Sequence, residues 1–133
     1  MKNKILVSTK SVLIFRVMLS SIFLMASIAH LLNIDKTLER LNQAKLKNLA
    51  YLFGDPKWLI ILSGIIMFIA GLSLLVGYKT KWAALALTAV IIPITITVQV
   101  GQMNTIGPLF KNIAILGGLL FFILNNFKTT QIQ

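Results

Sequence analysis

The sequence holds no cysteine, a single histidine and only three carboxylates among its 133 residues. Without cysteine there can be no disulfide, no thiol redox chemistry and no thiolate-ligated zinc or iron-sulfur centre. His30, Asp35, Glu39 and Asp55 are too few to build a metal site within this chain, so no metal is expected, and no cofactor is expected to be covalently held. Charge is scarce as a whole. Only 12% of the residues are charged, against roughly 25% in ordinary globular domains, whereas 57% are apolar. A soluble domain of this size buries only about two-thirds of its unfolded surface, so this much Ile, Leu, Val and Phe would leave large apolar patches facing water. Lipid removes that difficulty.

What charge there is has one sign, 13 basic residues against 3 acidic ones. Clustered Lys and Arg can replace counterions along nucleic-acid phosphates, but here they sit in short connections beside long apolar runs. Membrane topology and anionic headgroups account for them there, so the expected partner is the bilayer and no nucleic acid.

Spanning a hydrocarbon core of about 30 Å takes roughly 20 apolar residues as a helix. Four runs qualify, residues 12–32, 58–77, 82–100 and 109–127. The fourth is the weakest, since Lys111 must snorkel towards a headgroup. A barrel would instead need alternating runs of about ten residues, and these runs are continuous. The expectation is an all-α, four-transmembrane-helix bundle in one domain covering residues 1–133. The opening residues also imitate a secretory signal, with Lys2, Lys4 and Lys10 before an apolar run and Ser27-Ile28-Ala29 as small residues. Arg16 interrupts that stretch, which favours a retained span.

The one long polar connection, residues 33–57, holds all three acids and five of the basic residues. Leu38, Leu41, Leu49, Leu52 and Phe53 recur near helical spacing, with Asp35 and Glu39 close to the start, where the helix dipole favours them. This predicts an amphipathic helix over about 35–53, lying in the interface or capping the bundle and ended at Gly54-Asp55-Pro56. It is either a solvated connection or a functional lid. Placing both termini and the Lys79/Lys81 turn in the cytoplasm puts Lys2, Lys4, Lys10, Lys79, Lys81 and Lys128 on that side, in the sense of the positive-inside preference.

At 100° per residue, Arg16, Ser20, Phe23, Ser27 and His30 share one face of the first helix. Such a polar stripe is expected to face the bundle interior or a partner, because lipid penalises ionisable groups. The third helix carries Thr88, Thr95, Gln99 and Gln102, with Pro93 positioned to bend it. Amides and hydroxyls can bond a carbonyl-bearing ligand; membrane threonines also commonly bond their own backbone. Arg16, Ser27, His30, Thr95 and Gln99 are therefore the candidate ligand contacts. Arg16 as a snorkelling residue and His30 as a helix-end residue remain the plain alternatives. Gly64, Gly71, Gly77, Gly117 and Gly118 are small residues suited to close helix packing. No nucleophile-base pair, phosphate-cradling loop or paired carboxylate is visible, so no catalytic residue is assigned. His30 is the best general acid or base present.

Several stretches resemble the DoxX family of small four-helix membrane proteins. They are Arg16-Val17-Met18-Leu19-Ser20-Ser21-Ile22-Phe23-Leu24 leading to Ala29-His30-Leu31-Leu32, then Ile69-Ala70-Gly71-Leu72-Ser73-Leu74-Leu75-Val76-Gly77 with its basic turn and Ala83-Ala84. The most specific is Phe110-Lys111-Asn112-Ile113-Ala114-Ile115-Leu116-Gly117-Gly118-Leu119-Leu120. The family often carries a glutamate early in the glycine-rich helix and a histidine late in the third, where Met67 and Gln99 stand here, and more usually a lysine where His30 stands. The resemblance implies a bacterial inner-membrane protein, some of whose relatives are subunits of quinone-linked oxidoreductase assemblies. The leading expectation is a redox-associated subunit binding a quinone-like ligand within the bundle. The alternative is a non-catalytic anchor packing on other membrane subunits or on itself.

Overall fold

The computed structural model describes residues 6–125; Lys2, Lys4, Lys128 and the expected end of the fourth span at Phe127 lie outside them. The described chain is all-helical, with four helices long and apolar enough to cross a membrane, Thr9–Leu32, Pro56–Val76, Thr80–Gln99 and Met103–Leu124. In sequence order the α-helices are α1 (Thr9–Leu32), α2 (Ile34–Gln43), α3 (Lys47–Tyr51), α4 (Pro56–Val76), α5 (Thr80–Ile94) and α6 (Ile106–Leu124). A π-helical segment, Thr95–Gln99, completes the third span, and a 3-10 turn, Met103–Thr105, leads into α6.

Helix ends follow local chemistry. Asp55 caps α4, its side chain accepting from Lys57 N at 3.0 Å, with Pro56 in the first turn where no N–H is missed. At the other end Gly77 takes a left-handed φ of 85° and donates to Ser73 O at 3.0 Å, so α4 stops in a conformation that suits glycine. Pro93 has no N–H to continue the ladder, and the chain widens to π winding from Thr95 onward.

Consecutive spans run antiparallel, and α1 packs chiefly on α4, α4 on α5, and α5 on α6. Phe15 closes the ring, with its centroid 5.6 Å from Phe121 and 5.4 Å from Phe122 of α6. The α1–α4 seam keeps one register, reported by close approaches at Gly64 to His30 and Leu31, Gly71 to Phe23 and Leu24, and Gly77 to Arg16. Glycine at these sites lets the two backbones come together where lipid gives no hydrophobic drive for association. The core is filled by Leu19, Phe23, Met67, Leu74, Leu87, Leu119 and Phe122.

Burial is inverted relative to a water-soluble bundle. Ile14, Met18, Met25, Ile69 and Phe110 are all at least 60% exposed, while Arg16, Ser20, Ser27, Thr95 and Asn112 are buried. Apolar chains face the acyl region and polar groups turn inward, as hydrocarbon solvent demands. Tyr78 and Trp82 sit exposed at one end of the bundle and Trp58 at the other, as interface anchors.

The connection between the first two spans differs in detail from a single helix over 35–53. It is two helices, α2 and α3, separated by an extended Ala44 (φ −75°, ψ 143°). Tyr51 donates its hydroxyl proton to Asn42 Oδ1 across the break. Nine residues apart in one helix these groups would stand about 13 Å apart along the axis, so the bond exists only because the chain folds back, with Leu41 and Ala44 buried beneath it.

Candidate functional site

The polar stripe of α1 does face inward: Arg16, Ser20, Phe23 and Ser27 are buried, and His30 is partly so. Two of its hydroxyls are occupied by their own helix. Ser20 donates to Val17 O at 3.0 Å and Ser27 to Leu24 O at 2.7 Å, and neither residue has any exposed surface. The third span behaves alike, Thr88 donating to Ala84 O at 2.8 Å and Thr95 to Ile91 O at 2.7 Å. Back-bonding of this kind is how serine and threonine satisfy themselves in hydrocarbon.

Side chains also join the spanning helices to one another. Asn112 of α6 donates its amide to Thr95 Oγ1 at 2.9 Å in a buried setting. His30 Nδ1 lies 3.0 Å from Ser63 Oγ of α4, and Ser63 donates its own proton to Ile60 O at 2.8 Å. A neutral His30 that meets a Ser63 hydroxyl so engaged carries its hydrogen on Nδ1 and its lone pair on Nε2, a tautomer assigned from the bonding pattern. Neither Asn112 nor Ser63 stood out in sequence as a site residue. An amide inside an apolar span, directly after Lys111, was the available signal for Asn112, since it needs a partner there. His30 is the only histidine, so nitrogen NMR of labelled protein in detergent reads its tautomer directly. The Nδ1–H form is expected in wild type and a shift towards Nε2–H in Ser63→Ala; an Nε2–H form in wild type would contradict this bonding pattern.

Arg16 and Gln99 are different. Arg16 is 7% exposed, and its Nε has no hydrogen-bond partner; the Gln99 Oε1 is likewise buried and unpartnered. The Arg16 guanidinium reaches the end of α4, where a Cβ on Gly77 would overlap Nη1 and stand 2.8 Å from Cζ. A cation at a helix C-terminus is favourably placed. All three acids of the chain belong to the opposite end, Asp35 and Glu39 in α2 and Asp55 at the start of α4.

The five candidate contacts therefore do not form one site. Arg16 and His30 are fourteen residues apart on α1, about 21 Å along the axis, and Gln99 closes the third span, which starts beside Gly77 and runs to the far end. Ser27 and Thr95 lie in the packed interior about one helical turn from His30 and Gln99, so those four belong to one end of the bundle and Arg16 alone to the other. Among the packing glycines, Gly64, Gly71, Gly77 and Gly118 each meet a neighbouring helix, Gly118 through Phe15 and Leu19 of α1. Gly117 is exposed, and a Cβ there would meet nothing within 4 Å, because one residue of helix turns it about 100° from Gly118.

The DoxX family model matches residues 11–100, more than half of the chain and its first three spans. The chain belongs to the DoxX family. The α6 stretch on which the sequence resemblance was most specific lies beyond the matched residues. No curated protein and no solved structure matches the chain. Family and four apolar helices together make it a multi-pass membrane protein.

Proposed function

We propose that this DoxX protein is a structural subunit of a larger bacterial inner-membrane assembly, both termini in the cytoplasm, holding partner helices together without completing a reaction itself. The observation that carries this reading is the closure of the polar stripe: Ser20, Ser27, Thr88 and Thr95 are bonded to their own helices, and the bundle interior around them is packed. The outward face of α6 offers a docking position. Glycine in a helix costs about 1 kcal/mol relative to alanine, and Gly117 returns no packing within the chain. Flanked by exposed Phe110, Ile113 and Leu120, it suits a second helix that must approach closely.

A second reading, a quinone-linked redox subunit, draws support from the unpartnered Arg16 Nε and Gln99 Oε1. A guanidinium would donate to a quinone carbonyl, and an amide oxygen would accept from a quinol hydroxyl. The two groups lie at opposite ends of the bundle, so one headgroup would use one of them. The quinone, when bound, would supply the electron-carrying chemistry, and the chain would hold and orient it.

Purification of tagged protein from its native membrane in mild detergent, with mass spectrometry of bound proteins and lipids, tests both. A stoichiometric partner protein retained by wild type and lost at least tenfold in Gly117→Leu is the expected result. A quinone retained by wild type and lost in Arg16→Ala or Gln99→Ala, with no partner protein, would replace the structural reading by the redox one.

A further inference from the structure

Between α4 and α5, on the side of α4 turned away from α1, lies an open groove of about 300 Å³. Ile69, Ala70 and Ala86 line its apolar wall, and Tyr78, Lys79 and Trp82 stand where it reaches the end of the bundle. Ile69, Tyr78 and Trp82 are between 62% and 68% exposed, so the groove opens outward along its length. The only hydroxyl of its lining besides that of Tyr78, Ser73, donates to Tyr78 O and is already used. Lys79 holds a left-handed φ of 45°, unusual for a residue with a side chain. Its Nζ lies 5.4 Å from the centre of the Tyr78 ring, at the rim. One end of the groove is thus cationic and aromatic, at headgroup depth, and the rest is hydrocarbon-like.

The geometry points to a bound anionic phospholipid, one acyl chain lying in the α4–α5 groove and its phosphate on Lys79. Charge decides between this occupant and a second copy of the chain. Every copy enters the membrane in the same orientation, and among the described residues those that carry charge at this end are Lys10, Arg16, Lys79 and Lys81, with no acid among them. A second copy would bring Lys79 only like charge. A lipid phosphate brings the missing sign, and basic side chains at headgroup depth attract anionic lipid. Trp82 and Tyr78 present amphipathic rings at the same level, as interfacial aromatics do. This lipid site does not depend on the proposed structural role, and it stands or falls separately from the loss of partner in Gly117→Leu.

Trp82 itself reports the occupant. In a Trp58→Phe background the protein is reconstituted in zwitterionic vesicles, and brominated phosphatidylglycerol or brominated phosphatidylcholine is titrated in while Trp82 fluorescence is followed. The anionic lipid is expected to quench at a mole fraction at least fivefold lower than the zwitterionic one. Lys79→Ala is expected to remove most of that preference, whereas Lys57→Ala, at the opposite end, leaves it unchanged. Ala86→Phe, which fills the groove from its lipid side, is expected to weaken quenching by both lipids while helix content by circular dichroism stays at the wild-type level. Equal quenching by the two lipids, a preference untouched by Lys79→Ala, or cross-linked dimers through residue 86 in an Ala86→Cys variant would overturn the proposal.

Discussion

Gly71→Glu is expected to cost about 5 kcal/mol of folding free energy in the membrane. A Cβ on Gly71 would stand 3.1 Å from Leu24 Cδ2 and 3.3 Å from Leu24 Cγ, with Phe23 Cβ at 3.6 Å. Opening the α1–α4 seam to admit a side chain costs about 1–3 kcal/mol in overpacking. Placing a carboxylate inside the span, about 7.5 Å from its centre, adds up to about 3 kcal/mol, since α4 places no basic residue beyond Lys57 of its first turn to pair with it. Gly71→Ala isolates the first part and is expected to cost no more than about 2 kcal/mol, because the Leu24 side chain can give by a few tenths of an ångström. Lys36→Glu, on the exposed face of α2, is expected to change stability by less than about 0.5 kcal/mol. Reversible unfolding in mixed detergent micelles would measure all three. Equal tolerance of Gly71→Glu and Lys36→Glu would mean that α1 and α4 do not share this seam.

The second large effect belongs to Gly77 and tests whether Arg16 is truly seated on it. At φ 85° any L side chain is strained, by about 1–2 kcal/mol, and the Cβ of Gly77→Ala would also overlap the Arg16 guanidinium. The two together are expected to cost about 3 kcal/mol. In the double variant Gly77→Ala, Arg16→Ala the clash is gone and only the backbone strain remains. The cycle should therefore show a coupling of about 1–2 kcal/mol, within the range expected for residues in contact. Simple additivity of the two single variants would show that the guanidinium lies elsewhere. The same pair bears on function, for a displaced Arg16 would also lose any ligand that its unpartnered Nε holds.

The parts of the molecule that sequence reached and those it did not divide along a physical line. The α1 stripe was legible because helical geometry alone brings Arg16, Ser20, Phe23, Ser27 and His30 to one face, and the penalty for polar groups in lipid turns that face inward. Whether those groups were free to bind anything was not legible, because a serine or threonine in hydrocarbon satisfies itself on its own backbone or on a neighbour according to packing. Asn112 is the clearest case. Its position in an apolar span called for a partner, but that the partner is Thr95, seventeen residues away across the α5–α6 packing, depends on where π winding after Pro93 aims the threonine. The folded-back α2–α3 connection was hidden for a similar reason, since amphipathic spacing reads the same in one helix as in two short ones with a break between them.

By itself the sequence determined that this is a four-span membrane protein of the DoxX type with basic connections. Run length against bilayer thickness, and charge against the cost of lipid burial, are properties of local segments and need no neighbours. Only the tertiary structure decided that Arg16 stands at the opposite end of the bundle from the other candidate contacts and rests on Gly77 without an acid, and that Gly118 packs inward while Gly117 faces out. Those outcomes are set by helix register and rotation. Both are fixed by the summed packing of many side chains across the seams, which no single segment carries.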